Sequence, residues 1–353
     1  MQENTLTITL WSKMKHRAYE YDFIRCIAII MVLGVHCIPP STGTVSAQIY
    51  NSFMYALLFT CNALFFMMSG FFNIKDSYDL PSYYYKKVRN ILLPTLAYMF
   101  IYEVWYRVSY GSSGHSLAVQ YVLDAFSTYQ NGVFWFVMSL FGMLLLAPIV
   151  APAFRSMKQE LYRTYIVLTL LFLSLSIIGS VTGYPTGWSY PFGIGFALFC
   201  FGAAFDIGRA KEHWRLYLLL AVLCTAASTY LNYIGVARAN DGSPFFAVAS
   251  VSIYVLLYAW GSKMKPNKLI SLIAKHSFGI YMCHIPVLQT IQPFMPSLVR
   301  PVAHVVLLVI VLAITLPIVM LIDKTFVKLL QSAADILYRR KSFVQGAAGK
   351  NAK

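Results

Sequence analysis

The chain has 353 residues, 58% of them hydrophobic and 12% charged. Soluble domains carry about 25% charged residues, so a soluble globular protein is excluded and an integral membrane protein is expected. The formal net charge of +15 sits in short clusters between apolar runs, the pattern of a topology signal, and no nucleic-acid partner is expected.

Apolar runs fall at 22–38, 51–73, 91–108, 133–153, 164–180, 190–208, 216–234, 245–261, 277–295 and 302–323. That is about ten spans, most near the 17–25 residues that cross a bilayer as a helix. The predicted fold class is all-α: a polytopic integral membrane helical bundle of about ten transmembrane helices, with the lipid bilayer as its first partner. With loops on alternate sides, all but four of the 28 Lys and Arg lie on the amino-terminal side. The exceptions are Arg107, Arg238 and Arg300 opposite, and Arg25 inside a span. The positive-inside rule then puts both termini in the cytoplasm. Three segments result: 1–20 ahead of the first span, a transmembrane domain over 21–325, and a basic cytoplasmic tail over 326–353 that ends in VQGAAGKNAK and is expected to be disordered.

In the first span, Arg25 and His36 flank ten mostly apolar residues. Eleven steps of about 100° bring them within about 20° of one another around the helix, and about 16 Å apart along it. Asp22, three residues before Arg25, is spaced to pair with it. Polar side chains inside a span point first to function; the plainer alternatives are an Arg that snorkels to the headgroups and a His bonded to a neighbouring helix. The second span ends in Ser69 and Gly70, and a basic segment from Lys75 to Arg89 follows. Glu103 and Arg107, at i and i+4 in the third span, are spaced to pair.

Between Tyr110 and Gly132, the residues Leu117, Tyr121, Val122, Ala125 and Phe126 recur at helical spacing. A short amphipathic helix on the outer face is predicted there. Ser277, Tyr281 and His284 share one face of the ninth span. His16, His115, His213 and His304 lie in loops or at span ends with no partner pattern. The six cysteines fall in apolar runs without CxxC spacing, so neither a disulfide framework nor a metal site is expected.

Several stretches, read in order, form a set: Arg25-x-x-Ala28 with His36, FFMMSGFF (Phe65–Phe72), YYYKKVRNILLP (Tyr83–Pro94), FWFVMSLFGMLLLAPIV from Phe134, PFGIGFALFCFGAAF from Pro191, and SFGIYMCHIP (Ser277–Pro286). Together they resemble the acyltransferase 3 family of bacterial inner-membrane proteins, which O-acylate envelope glycans and other extracytoplasmic acceptors. The resemblance implies an O-acetyltransferase for polysaccharide modification, multi-pass in the bacterial cytoplasmic (inner) membrane. It implies acetyl-CoA or another acyl-CoA as donor substrate, no tightly bound cofactor, and an envelope glycan or lipid-linked sugar as acceptor.

On that reading Arg25, Lys86 and Arg89 hold the phosphates of coenzyme A, and the small turn at Ser69 lets backbone approach the donor. His36 is the general base. His284 orients it, stabilises the oxyanion or binds the acceptor, and Tyr281, Ser277 and Glu103 contact substrate. Each role has a plainer alternative: positive-inside anchoring for Lys86 and Arg89, packing for Ser69, an ion pair for Glu103, and an interhelical hydrogen bond for His284. The family's Arg-x-x-Arg stands here as Lys86-x-x-Arg89, which keeps the charge and loses one planar fork. The runner-up function is a membrane transporter that exports a glycan precursor, although the internal repeat and broken half-helices common in carriers are not evident.

Overall fold

The computed structural model describes residues 18–111, 114–126, 134–182, 193–236, 243–295 and 299–350. His16, Pro191 and Phe192 lie outside the described residues. Among those described there are helices and turns and no strand. The helices are α1 (Tyr19–His36), α2 (Val45–Leu58), α3 (Thr60–Asn73), α4 (Leu80–Lys87), α5 (Leu93–Tyr110), α6 (Leu117–Phe126), α7 (Trp135–Arg155), α8 (Gln159–Thr182), α9 (Gly193–Ala204), α10 (Trp214–Tyr233), α11 (Pro244–Gly261), α12 (Lys268–Ile291), α13 (Arg300–Ile322) and α14 (Lys328–Lys350).

The amphipathic helix predicted after the third span is α6. Six stretches among the described residues are long and apolar enough to cross a membrane. The helices that carry Arg25, Glu103 and His284 are not among the six. One expectation is corrected at the carboxy terminus. The tail is helical as far as Lys350, so most of VQGAAGKNAK continues α14, because residues added to an existing helix avoid the cost of nucleation.

The chain folds into two compact units built from interleaved segments. The first comprises Met1–Ile74, Ala153–Ser277 and Leu298–Leu308; the second comprises Lys75–Pro152, Phe278–Ser297 and Val309–Lys353. In the first unit α1 packs against α2, α3 and α11, α10 packs against α2 and α11, and α3 packs against α9. A Cβ at Gly70 would overlap the Phe199 carbonyl, and one at Gly202 would overlap the Met67 carbonyl. These two glycines therefore let the α3 and α9 backbones touch, the kind of contact that drives helix association in lipid. Thr60 marks the break between α2 and α3. Its hydroxyl donates to the Leu57 carbonyl at 2.7 Å, a local bond that competes with the helical ladder and bends it.

In the second unit α4 leads through a π-helical turn, Val88–Leu92, into α5. Pro94 offers no N–H to the carbonyl four residues back, and the wider turn absorbs the mismatch. Pro148, inside α7, orphans the Leu144 carbonyl in the same way. The hydroxyl of the buried Tyr83 donates to that carbonyl at 2.7 Å, which is how a helix-breaking residue is tolerated at membrane depth. A second π-helical turn, Asp323–Val327, joins α13 to α14. Tyr98 donates to Asp323 there at 2.6 Å. Gly279 of the SFGIY stretch makes the room, since a Cβ on it would overlap the Tyr98 hydroxyl and the Val319 side chain.

Candidate functional site

Arg25, His36, Ser69 and Ser277 belong to the first unit, and Lys86, Arg89, Glu103, Tyr281 and His284 to the second. Helix α1 begins with Glu20 and Asp22 in its first turn, where negative charge meets the positive end of the helix dipole. Asp22 is 3% exposed, and its Oδ1 lies 3.7 Å from Arg25 Nη1, so the pair expected from the spacing forms. The helix ends at His36 because Pro39 and Pro40 offer no N–H to continue it. The Cys37 N–H closes back onto the Leu33 and Gly34 carbonyls. Val35 and Cys37 are buried while the His36 side chain between them is exposed, so the helix terminus presents an imidazole on an otherwise packed backbone. Ser69 is half-buried, and its carbonyl accepts the Asn73 amide at 2.8 Å; its neighbour Gly70 serves the α3–α9 approach. Ser277 is buried.

In the second unit, Lys86 is exposed and Arg89 half-buried. Arg89 is bound bidentately to a residue the sequence reading passed over: Nε and Nη2 donate to the two carboxylate oxygens of Asp335 at 2.7 and 2.9 Å. Tyr85 donates to the same carboxylate at 2.5 Å and stacks on Tyr338 with ring centroids 3.9 Å apart. The carboxylate thus sits in a planar fork of the kind that also suits phosphate. Lys87, next to Lys86, has its Nζ 4.7 Å above the Tyr83 ring. Burial, then the charges of Lys75 and Lys86, push its ammonium down to about 8.

Glu103 is 2% exposed and accepts from Arg107 Nε at 2.6 Å, so the i, i+4 pair forms. Tyr281 and His284 are both buried. His284 Nδ1 lies 2.6 Å from the Tyr281 carbonyl. A carbonyl only accepts, so Nδ1 carries the proton and Nε2 the lone pair. The Tyr281 ring lies 5.4 Å from that of Phe136, one contact between the SFGIY and FWF stretches.

A family model described as an acyltransferase domain matches residues 18–324. The chain belongs to the acyltransferase 3 family. Membership makes it a membrane acyltransferase, and the match runs from the start of α1 into the second π-helical turn. No curated protein and no solved structure matches it. In this acyltransferase the sequence reading also missed His304, which is 5% exposed and bonded to the Gly34 carbonyl two residues before His36. Its position in an otherwise apolar run, RPVAHVVLLV, was the available signal.

Proposed function

We propose that this acyltransferase moves an acetyl group from cytoplasmic acetyl-CoA to a hydroxyl of an extracytoplasmic or lipid-linked glycan, with His36 as general base. The protein would lie in the bacterial cytoplasmic membrane with about ten spans and both termini inside, as the distribution of Lys and Arg favours. Arg25, Lys86 and Arg89 would hold the phosphates of coenzyme A by charge-assisted bonds. The acceptor hydroxyl attacks the thioester carbonyl while His36 takes its proton. The carbon–sulfur bond breaks, and coenzyme A leaves as the thiol with the proton returned by the imidazolium. His284 would stabilise the oxyanion that forms on the thioester carbonyl or bind the acceptor, and Tyr281, Ser277 and Glu103 would line the acceptor's approach.

The observation that carries this reading is the exposed His36 ring between buried neighbours within the matched acyltransferase domain. The test compares a deletion strain with strains restored by wild type or by His36→Ala at equal protein level. Alkali-labile esters on envelope glycans are identified and counted by mass spectrometry. Acetyl esters restored by wild type alone support the proposal. Esters restored by both variants would sink the base assignment, and a change in glycan export without a change in esters would favour a transporter.

A further inference from the structure

We infer that Arg300 and His304, one turn apart at the start of α13, are positioning residues that mount His36. The inference rests on the acyl-transfer reading above. His304 Nε2 lies 2.8 Å from the Gly34 carbonyl, and its Nδ1 lies 2.7 Å from the Tyr50 hydroxyl. The carbonyl only accepts, so Nε2 donates to it and Nδ1 accepts from Tyr50. One tautomer is fixed at both nitrogens, and the bond lands two residues before His36.

Arg300 grips the chain on the other side. Its Nη1 donates to the Pro39 carbonyl at 3.1 Å, the Pro40 carbonyl at 2.9 Å and Asn51 Oδ1 at 3.3 Å. Its Nη2 donates to Thr42 Oγ1 at 3.2 Å. Asn51 in turn donates to the Pro39 carbonyl at 3.2 Å. The two prolines that end α1 are thus tied through their carbonyls to α13. Arg300 and His304 stand at i and i+4 on one face of α13, and their supporting partners Asn51 and Tyr50 are neighbours on α2. The backbone that carries His36 is fixed two residues before the ring and three residues after it, while none of these bonds goes to the ring. A displacement of about 1 Å at a reacting group costs about 10²-fold in rate, so a mount of this kind controls turnover without touching substrate.

The test uses the full chain in lipid nanodiscs. Diethyl pyrocarbonate acylates neutral imidazole, and its rate at His36 is read from the His36 peptide by mass spectrometry. Glycan esters are measured in cells alongside. In Arg300→Met and His304→Leu the reactivity of His36 should shift about threefold or more, and esters should fall about tenfold or more. His304→Gln, whose amide can donate to Gly34 and accept from Tyr50, should stay near wild type in both readouts. Tyr50→Phe deletes one hydroxyl from a half-buried ring and should give a milder shift, which serves if the larger changes prevent folding.

Wild-type reactivity and esters in folded Arg300→Met and His304→Leu would overturn the inference. So would ester loss with unchanged His36 reactivity, which would put the effect elsewhere. Altered His36 reactivity together with full esters in His36→Ala would leave the mount standing and end the base assignment.

Discussion

Arg300 and Arg89 each tie together stretches of chain far apart in sequence, and they do so with different chemistry. Among the described residues, Arg300, in the first unit, donates to neutral oxygens: two proline carbonyls, an amide and a hydroxyl. Arg89, in the second, donates to both oxygens of the Asp335 carboxylate, and the two side chains are 29% and 35% exposed. A guanidinium on backbone carbonyls holds no anion for another to replace. A guanidinium on a partly exposed carboxylate holds a bond that a phosphate can compete for and salt can screen. The same side chain makes a fixed mount in one place and an exchangeable contact in the other. On the proposed mechanism, the first arrangement would hold the His36 base still and the second would let the donor come and go.

The strongest way to sharpen the contrast is to remove what the mount carries. His36→Ala should lower acyl transfer by 10²–10⁴-fold, roughly 3–5 kcal/mol of barrier, compared at equal amounts of folded protein. Initial rates of coenzyme A release with an acceptor extract measure it. At the exchangeable contact, Arg89→Met should raise the KM for acetyl-CoA about tenfold with little change in kcat. An unchanged KM would reduce Arg89 to an anchor for α14.

Asp335→Asn should act in the opposite direction, lowering that KM about two- to fivefold, because the competing charge is gone. A raised KM would mean that Asp335 holds Arg89 in place for the donor. Salt gives a subtler readout by hydrogen exchange. About 0.5 M NaCl should speed exchange across residues 331–339 and leave 300–304 as they were. Equal acceleration of both segments would erase the distinction between them.

The smallest effect concerns Lys87. The folded chain sheds this proton at about 8, whereas an unfolded chain keeps it to about 10.4. Between those values the unfolded state binds more protons, so stability rises with pH. Melting temperature in detergent at about pH 7.5 and 9.5 should rise by a degree or two in wild type and less in Lys87→Met. Equal rises in both would remove Lys87 as the cause.

The position of most helices was legible because apolar run length and period decide them; α6 followed from the spacing of Leu117, Tyr121 and Val122. The pairs Asp22–Arg25 and Glu103–Arg107 were legible for a similar reason, since both partners lie on one helix. What could not be read was anything that depends on a distant partner. The Arg300 bond to Pro39 spans 261 residues, and the bonds of Arg89 to Asp335 span 246. Gly70, Gly202 and Gly279 look alike in a sequence, and only the facing helix shows that each is needed for close approach. The tail was read by its basic residues, which drew attention from its one carboxylate partner, Asp335. The interleaving of segments into two units has no mark in composition or period.

The most direct measurement is transfer of a radiolabelled acetyl group from acetyl-CoA to isolated envelope glycan by the purified chain in nanodiscs. Wild type, His36→Ala and Arg300→Met are compared, with acetyl-CoA binding followed in parallel. The expected result is label on glycan hydroxyls with wild type, almost none with His36→Ala, little with Arg300→Met, and donor binding retained by all three. Label transferred as fast by His36→Ala as by wild type would contradict His36 as the base and leave the mount at the end of α1 without a catalytic purpose.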